Sequence, residues 1–420
     1  MPGAQPARAR LDSLTGLRFV AALAVFADHA GLETVFRSHT VNFLLVGLTA
    51  SLAEAAVGFF FMLSGFVLTW SARPGDTSTA FWRRRAAKIL PNHVITWTAG
   101  LLLLVASGTR FRLPDMIPSL FLVHSWIPSV PVIEGTDGPN WSLACEALFY
   151  LSFPLVARLV GRIPAGRLWR WAGGVAAGII AVPFIALLLP DQPTLFGLPL
   201  PFWRFWFTIF LPPVRLLDFV LGILLARIVI SGRWHPVRLR WVTGALVAGW
   251  LISLALPVPF DFMLPFVGPL VLVLGTGASA DISGRGSVFG RGRFVWLGEI
   301  SFAFYLVHWP VLHYLHLALG GGTWSAPGAA GFLILALALT LLLSALLYRF
   351  VERPAMRRWG RGRPAADHRA GRSPAGQHQA WRWPAGARPG SRRAIGKAAP
   401  RRRAPFRSGR TAARPSGTGR

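Results

Sequence analysis

Residues 15–30 read TGLRFVAALAVFADHA. The stretch is apolar enough to enter a bilayer, yet Arg18 stands near one end and His29 near the other. Ionisable groups inside a membrane segment are costly, and where they are kept they mark function. Eleven residues separate the two. At about 100° per residue that is about three turns, so both side chains share one helix face, about 16 Å apart along the axis. Lipid cannot solvate such a face, so it must look into a bundle of helices.

The rest of the chain supplies the bundle. Of 420 residues, 53% are hydrophobic and 14% charged, with 18 Trp and 30 Phe. A soluble domain of this length could not hide so much apolar surface. Runs such as AGLLLLVAS, LLDFVLGILLARIVI and GFLILALALTLLLSALL read as membrane spans. The first apolar segment has no small-residue cleavage site after it, so it reads as a retained helix. A single cysteine, Cys145, excludes an internal disulfide and a multi-cysteine metal site.

The net charge of +28 is unevenly spread. More than half of it sits beyond Arg357, in an Arg/Pro/Gly/Ala tail without periodicity. The expected organisation is therefore a transmembrane domain over 1–355 and a disordered tail over 356–420. Anionic lipid is the expected partner of the basic loops and tail, in preference to nucleic acid.

The remaining charges set a topology. Lys/Arg clusters at 7–10, 83–88, 158–170, 227–240, 285–293 and from Arg349 alternate with connections that are acidic or uncharged, around Glu33, Glu54, Glu134, Asp137, Asp191, Asp261 and 319–328. Placing every basic cluster in the cytoplasm gives an all-α fold of ten spans. They fall near 14–30, 54–71, 90–107, 141–159, 171–190, 207–229, 240–257, 261–279, 295–318 and 329–350, with both termini cytoplasmic and the protein in the cell membrane. The segment IPSLFLVHSWIP at 116–127 is too short to cross and should lie in the outer leaflet.

Polar residues gather at the ends of these spans. FWRRRAAKILP places Arg83, Arg84, Arg85 and Lys88 before span three, with Pro91 at its opening. Arg85 and Lys88 share a helix face and could hold donor phosphates. NWSLACEALFY carries Trp141, Ser142, Glu146 and Tyr150. A carboxylate that deep must be protonated or paired, with Arg18 or His29 as candidate partners. LGEISFAFYLVHWP carries Tyr305 and His308, a second ionisable group for the cavity. Ser64–Gly65 reads as a close helix contact. His39, His93, His124, His313 and His316 read as structural or interfacial. No HExxH, GxSxG or phosphate-cradling glycine loop is present.

In this order the motifs resemble the acyltransferase-3 family of integral membrane acyltransferases. The shared features are the Arg18/His29 pair, GFFFMLSGF, the basic motif Arg85-Ala-Ala-Lys88-Ile89-Leu90-Pro91, the segment from Trp141 to Tyr150, the segment from Leu297 to Pro310, and Glu352-Arg353-Pro354. The resemblance covers about residues 11–355. Thr15 stands where the family has an aspartate, with Asp12 one turn earlier as a substitute, Lys88 replaces an arginine, and Ala147 replaces a frequent glutamate.

The resemblance implies transfer of a short acyl group, such as acetyl, from cytoplasmic acyl-coenzyme A to a hydroxyl of a cell-envelope or secreted carbohydrate. Acyl-coenzyme A would be a co-substrate, with no bound cofactor and no metal. Arg84, Arg85 and Lys88 would bind the donor, His29 would be the general base, Arg18 would orient the donor, and Glu146 would hold the imidazole. Trp141, Ser142, Tyr150, Tyr305 and His308 would line the cavity. Trp203 and Trp206 could stack on a sugar. The other class of function open to such a chain is a proton-coupled transporter, which predicts an internal repeat; the two halves show none.

Overall fold

The computed structural model describes residues 9–72, 75–195 and 200–360. Every long element is a helix: α1 Asp12–Leu32, α2 His39–Ser71, α3 Ser78–Ala106, the short α4 Leu113–Leu120, α5 Trp141–Gly161, α6 Leu168–Ala186, α7 Pro212–Ile230, α8 Leu239–Ser253, α9 Val267–Ile282, α10 Gly292–Ala318, α11 Ala326–Leu347 and α12 Arg353–Trp359. Among the described residues, eight helical segments are long and apolar enough to cross a bilayer, so the chain is a multi-pass membrane protein.

All ten expected spans overlap helices, with differences at their boundaries. Helices α8 and α9, of 15 and 16 residues, reach only about 22–24 Å at 1.5 Å per residue, short of a hydrocarbon core of about 30 Å. They pack on each other and on α2, where Ser253 and Ser51 share a buried 2.8 Å hydrogen bond and Trp250 Nε1 donates to the Leu48 carbonyl. Glu54 lies in the middle of α2 and not in a connection. Arg215 lies within its electrostatic reach, and the helix runs unbroken from the Ser38 cap. Helix α3 begins at Ser78, where the Thr77 hydroxyl accepts from the Ala80 amide, and Pro91 is internal. The basic cluster therefore lies within α3. Helix α12 runs to Trp359, and residues 361–420 of the expected tail lie outside the described residues.

Segment 113–140 does not cross. His93 of α3, fully buried, donates from Nε2 toward the Ser119 and Leu120 carbonyls at 3.1 Å, and Trp97 Nε1 reaches Ser119 Oγ at 2.9 Å. Trp206 Nε1 donates to the Ser125 carbonyl, which gives that tryptophan a structural task.

The core between α2 and α7 is an aromatic stack, with Phe149 of α5 parallel to Phe219 at 4.8 Å and Phe61 edge-on to Phe149 at 5.0 Å. Small residues allow this approach: a Cβ on Gly222 would overlap the Met62 carbonyl, and one on Gly65 the Phe219 carbonyl. Helix α1 lies against α2 on one side and α10 on the other. A Cβ on Gly298 of α10 would overlap the Thr15 carbonyl. That contact brings the Arg18/His29 face of α1 against the His308 face of α10.

Candidate active site

His29 and His308 meet directly. Their rings stack at 5.0 Å between centroids, and His29 Nδ1 lies 2.8 Å from His308 Nε2. His308 Nδ1 lies 2.6 Å from the Tyr305 carbonyl, which can only accept. His308 therefore carries its proton on Nδ1 and accepts on Nε2, so His29 donates from Nδ1. The lone pair of His29 is left on Nε2, free to take a proton from a substrate. Glu146, the residue expected to hold the imidazole, bonds to Tyr150, and the group in contact with His29 is His308.

The pair is tightly framed. Trp309 stands edge-on to His29 at 5.2 Å, and Phe304 lies parallel to His308 at 6.2 Å. Tyr305 donates its hydroxyl to the Pro139 carbonyl at 2.9 Å, and Ser142 donates to the Tyr305 hydroxyl at 2.8 Å. Trp141 is buried edge-on to Phe61. Ser142, Tyr305 and His308 thus form one run of contacts, while Trp141 packs against Phe61 and Phe210.

The second centre lies toward the start of α1. Arg18, Lys88, Arg85 and Glu146 are in electrostatic reach of one another, and Glu352 of the Glu-Arg-Pro motif joins Arg18 and Lys88. Glu146 accepts from the Tyr150 hydroxyl at 2.9 Å. Asn92 donates to Glu352 Oε2 at 2.9 Å. Lys88 lies 5.9 Å from the Phe302 ring centroid and Arg85 5.8 Å from that of Phe81. Arg85 Nε has no hydrogen-bond partner among the described residues. Three cations thus face two carboxylates, and low-polarity surroundings make that surplus strongly felt by an anion.

Two expected roles do not fit this geometry. Arg84 points away from the cluster into a two-point pair with Asp76, one contact of which is 3.0 Å. Asp12 pairs with Arg10 at 3.2 Å on an exposed surface, so it does not stand in for the aspartate missing at Thr15, whose hydroxyl caps the Leu11 carbonyl. Sequence reasoning missed Glu352 and Asn92 as members of the basic centre. The Glu-Arg-Pro motif was the available signal, but only folding back of the chain end onto α3 shows what it meets.

The family model described as an acyltransferase domain matches residues 11–349. The acyltransferase MdmB of Streptomyces mycarofaciens is 42% identical over 374 residues, covering 86% of this chain and 95% of that protein. The peptidoglycan O-acetyltransferase OatA of Listeria monocytogenes is 25% identical over 386 residues, covering 83% of this chain and 56% of OatA. A putative O-acetyltransferase of Staphylococcus aureus is 23% identical over 383 residues, covering 82% of this chain and 57% of that protein. No solved structure matches. With residues 11–349 matched by the family model and 86% of the chain aligned to a relative 42% identical, the chain belongs to the acyltransferase-3 family of membrane acyltransferases.

Proposed function

We propose that this membrane O-acyltransferase takes its acyl group from acyl-coenzyme A at the Arg18/Arg85/Lys88 centre and delivers it to a hydroxyl of a carbohydrate or glycoside at the His29/His308 centre. The observation that carries this reading is α1 itself, whose Arg18 meets Arg85 and Lys88 of α3 near its start and whose His29 keeps Nε2 without a hydrogen bond among the described residues near its end. The coenzyme's phosphates would meet Arg85, Lys88 and Arg18 on the basic, cytoplasmic side. Its thioester would extend along α1 toward His29.

There, His29 Nε2 takes the proton of the attacking hydroxyl as the oxygen closes on the thioester carbon. The C–O bond forms, the C–S bond breaks, and the proton passes from His29 to the departing sulfur. His308 holds the donating Nδ1–H of His29 throughout, as an orienting group does for any imidazole base. No serine or cysteine near the pair is set up as a nucleophile, since Ser142 is committed to Tyr305 and Cys145 donates toward the Phe210 carbonyl. Direct transfer is therefore the route the side chains favour.

The test is transfer of label from radiolabelled acetyl-coenzyme A to the glycan and lipid fractions of membranes containing wild type or His29→Ala at matched expression. Label with wild type that vanishes with the variant is expected. Label unaffected by the variant would remove His29 as the base.

A further inference from the structure

Buried polar atoms are almost always hydrogen-bonded, and one short segment of this molecule breaks that rule repeatedly. Among the described residues, Thr136 Oγ1, both carboxylate oxygens of Asp137, and Asn140 Oδ1 have no hydrogen-bond partner. The three residues are only 5%, 3% and 2% exposed. Asp137 is the extreme case, because a carboxylate enclosed with neither oxygen bonded is among the least favourable groups a protein can bury. Burial pushes its carboxyl well above the usual carboxylate range.

The segment touches the histidine pair through two side chains. Position 138 abuts Trp309, with a Cβ built there 3.8 Å from Nε1, and Trp309 is edge-on to His29. The Pro139 carbonyl takes the Tyr305 hydroxyl, and Tyr305 lies beside His308. Asp137 is also in electrostatic reach of Tyr305 and Tyr314. With Asp137 ionised, three of the four orphaned atoms can only accept hydrogen bonds, and the fourth is a hydroxyl. What completes such a set is a ligand rich in donors.

Resting on the acyl-transfer reading above, we infer that Asp137, flanked by Thr136 and Asn140, recognises the acyl acceptor. Its carboxylate takes hydrogen bonds from hydroxyls adjacent to the one that His29 deprotonates, so the acceptor is a polyhydroxylated ring with at least two neighbouring hydroxyls. Both oxygens are enclosed in the empty protein, so the ring reaches them by parting segment 130–140 from α10. The unpaired carboxylate is then a site that costs stability when empty and is satisfied by substrate, a common trade at binding sites.

The experiment compares wild type, Asp137→Asn and Asp137→Leu as full-length protein in detergent. The probes are radiolabelled acetyl-coenzyme A and a titrated extract of cell-envelope glycans and glycolipids. Asp137→Leu should raise the apparent KM for the extract tenfold or more and Asp137→Asn by less, with the KM for acetyl-coenzyme A unchanged and the melting midpoint of the empty protein equal or higher. An extract KM unchanged in both variants overturns the inference while leaving the acyl-transfer reading intact. Equal changes in both KM values with a lowered melting midpoint also overturn it, since Asp137 would then be structural. No label moved by wild type overturns both readings together.

Discussion

The two ends of α1 are built on opposite principles. Around His29 each ring nitrogen of His308 is assigned, three aromatic rings close the sides, and one tautomer satisfies the bonding. Around Arg18 the charges do not balance, Arg85 keeps an unpaired Nε, and the cations lie over rings as much as against carboxylates. A proton-transfer site needs geometry fixed before substrate arrives. A binding site for a polyanion needs a field and unfilled hydrogen bonds, which the substrate then completes. The contrast assigns rate to one end and donor affinity to the other, and that assignment can be broken.

The largest effect belongs to His29→Ala, which should lower kcat by about 10²–10⁴-fold, the usual contribution of a general base. The KM for acyl-coenzyme A and the melting midpoint should stay near wild type. A matched rise in donor KM would show that the two ends are one site.

Next in size is His308→Leu, which removes the acceptor for His29 Nδ1–H and frees the ring to change tautomer. A drop in kcat of about ten- to a hundredfold is expected, or about 1.4–2.7 kcal/mol of barrier. His308→Gln offers a carbonyl in place of Nε2 and should recover part of the loss. An equal loss in both variants would mean that His308 fills space and does not orient the base.

At the other end, Lys88→Gln and Arg85→Gln should each raise the KM for acyl-coenzyme A about tenfold while kcat holds, because a charge-assisted hydrogen bond is worth about 1.5–3 kcal/mol. Arg84→Gln should change it far less, since Asp76 already occupies that guanidinium. Steady-state kinetics with varied donor separates these outcomes. Equal effects at Arg84 and Lys88 would mean that the cluster acts only through bulk charge.

How much of this was legible beforehand follows from what each signal measures. Arg18 and His29 lie on one helix, so their shared face could be read from the helical period alone. His308 could be flagged as a second ionisable group, but its contact with His29 depends on the close approach of α1 and α10 at Gly298, and long-range packing leaves no local trace. Each of the ten spans found by charge counting overlaps a helix, yet the count placed Glu54 in a connection, because a rule that treats acids as loop markers cannot see that this one lies inside the bundle within electrostatic reach of Arg215. The same rule put Pro91 at a helix start. In the fold, the turns before it are carried by the Thr77 cap, so α3 tolerates an internal proline. Arg84 and Arg85 are neighbours in sequence and about 100° apart around the helix. Adjacency suggested a common role, and the turn sends one to Asp76 and the other inward.

The smallest expected effect sharpens the comparison at its rim. Glu33, just past the end of α1, accepts from His313 Nδ1 at 3.1 Å and from His316 Nδ1 at 3.0 Å, while His316 Nε2 faces the Gly322 carbonyl at 3.0 Å. Burial works to raise the Glu33 carboxyl, but the two histidine hydrogen bonds outweigh it and hold the group below its ordinary value of 4.5. A carboxyl depressed in the folded state contributes stability that is present above the ordinary carboxylate range and lost as pH falls through the lower, folded value. The clasp joining α1 to α10 should therefore weaken on acidification below about pH 4.5, by an amount on the order of 1.5–3 kcal/mol. The melting midpoint of wild type should fall across that window more steeply than that of Glu33→Gln, which has no carboxyl to protonate there. Parallel curves would place the acid sensitivity elsewhere. Since Trp309 stacks on His313 at 5.7 Å and stands edge-on to His29, loss of the clasp should also be felt in kcat before it is felt in donor KM, which ties the rim to the rate-setting end of α1 and not to its basic one.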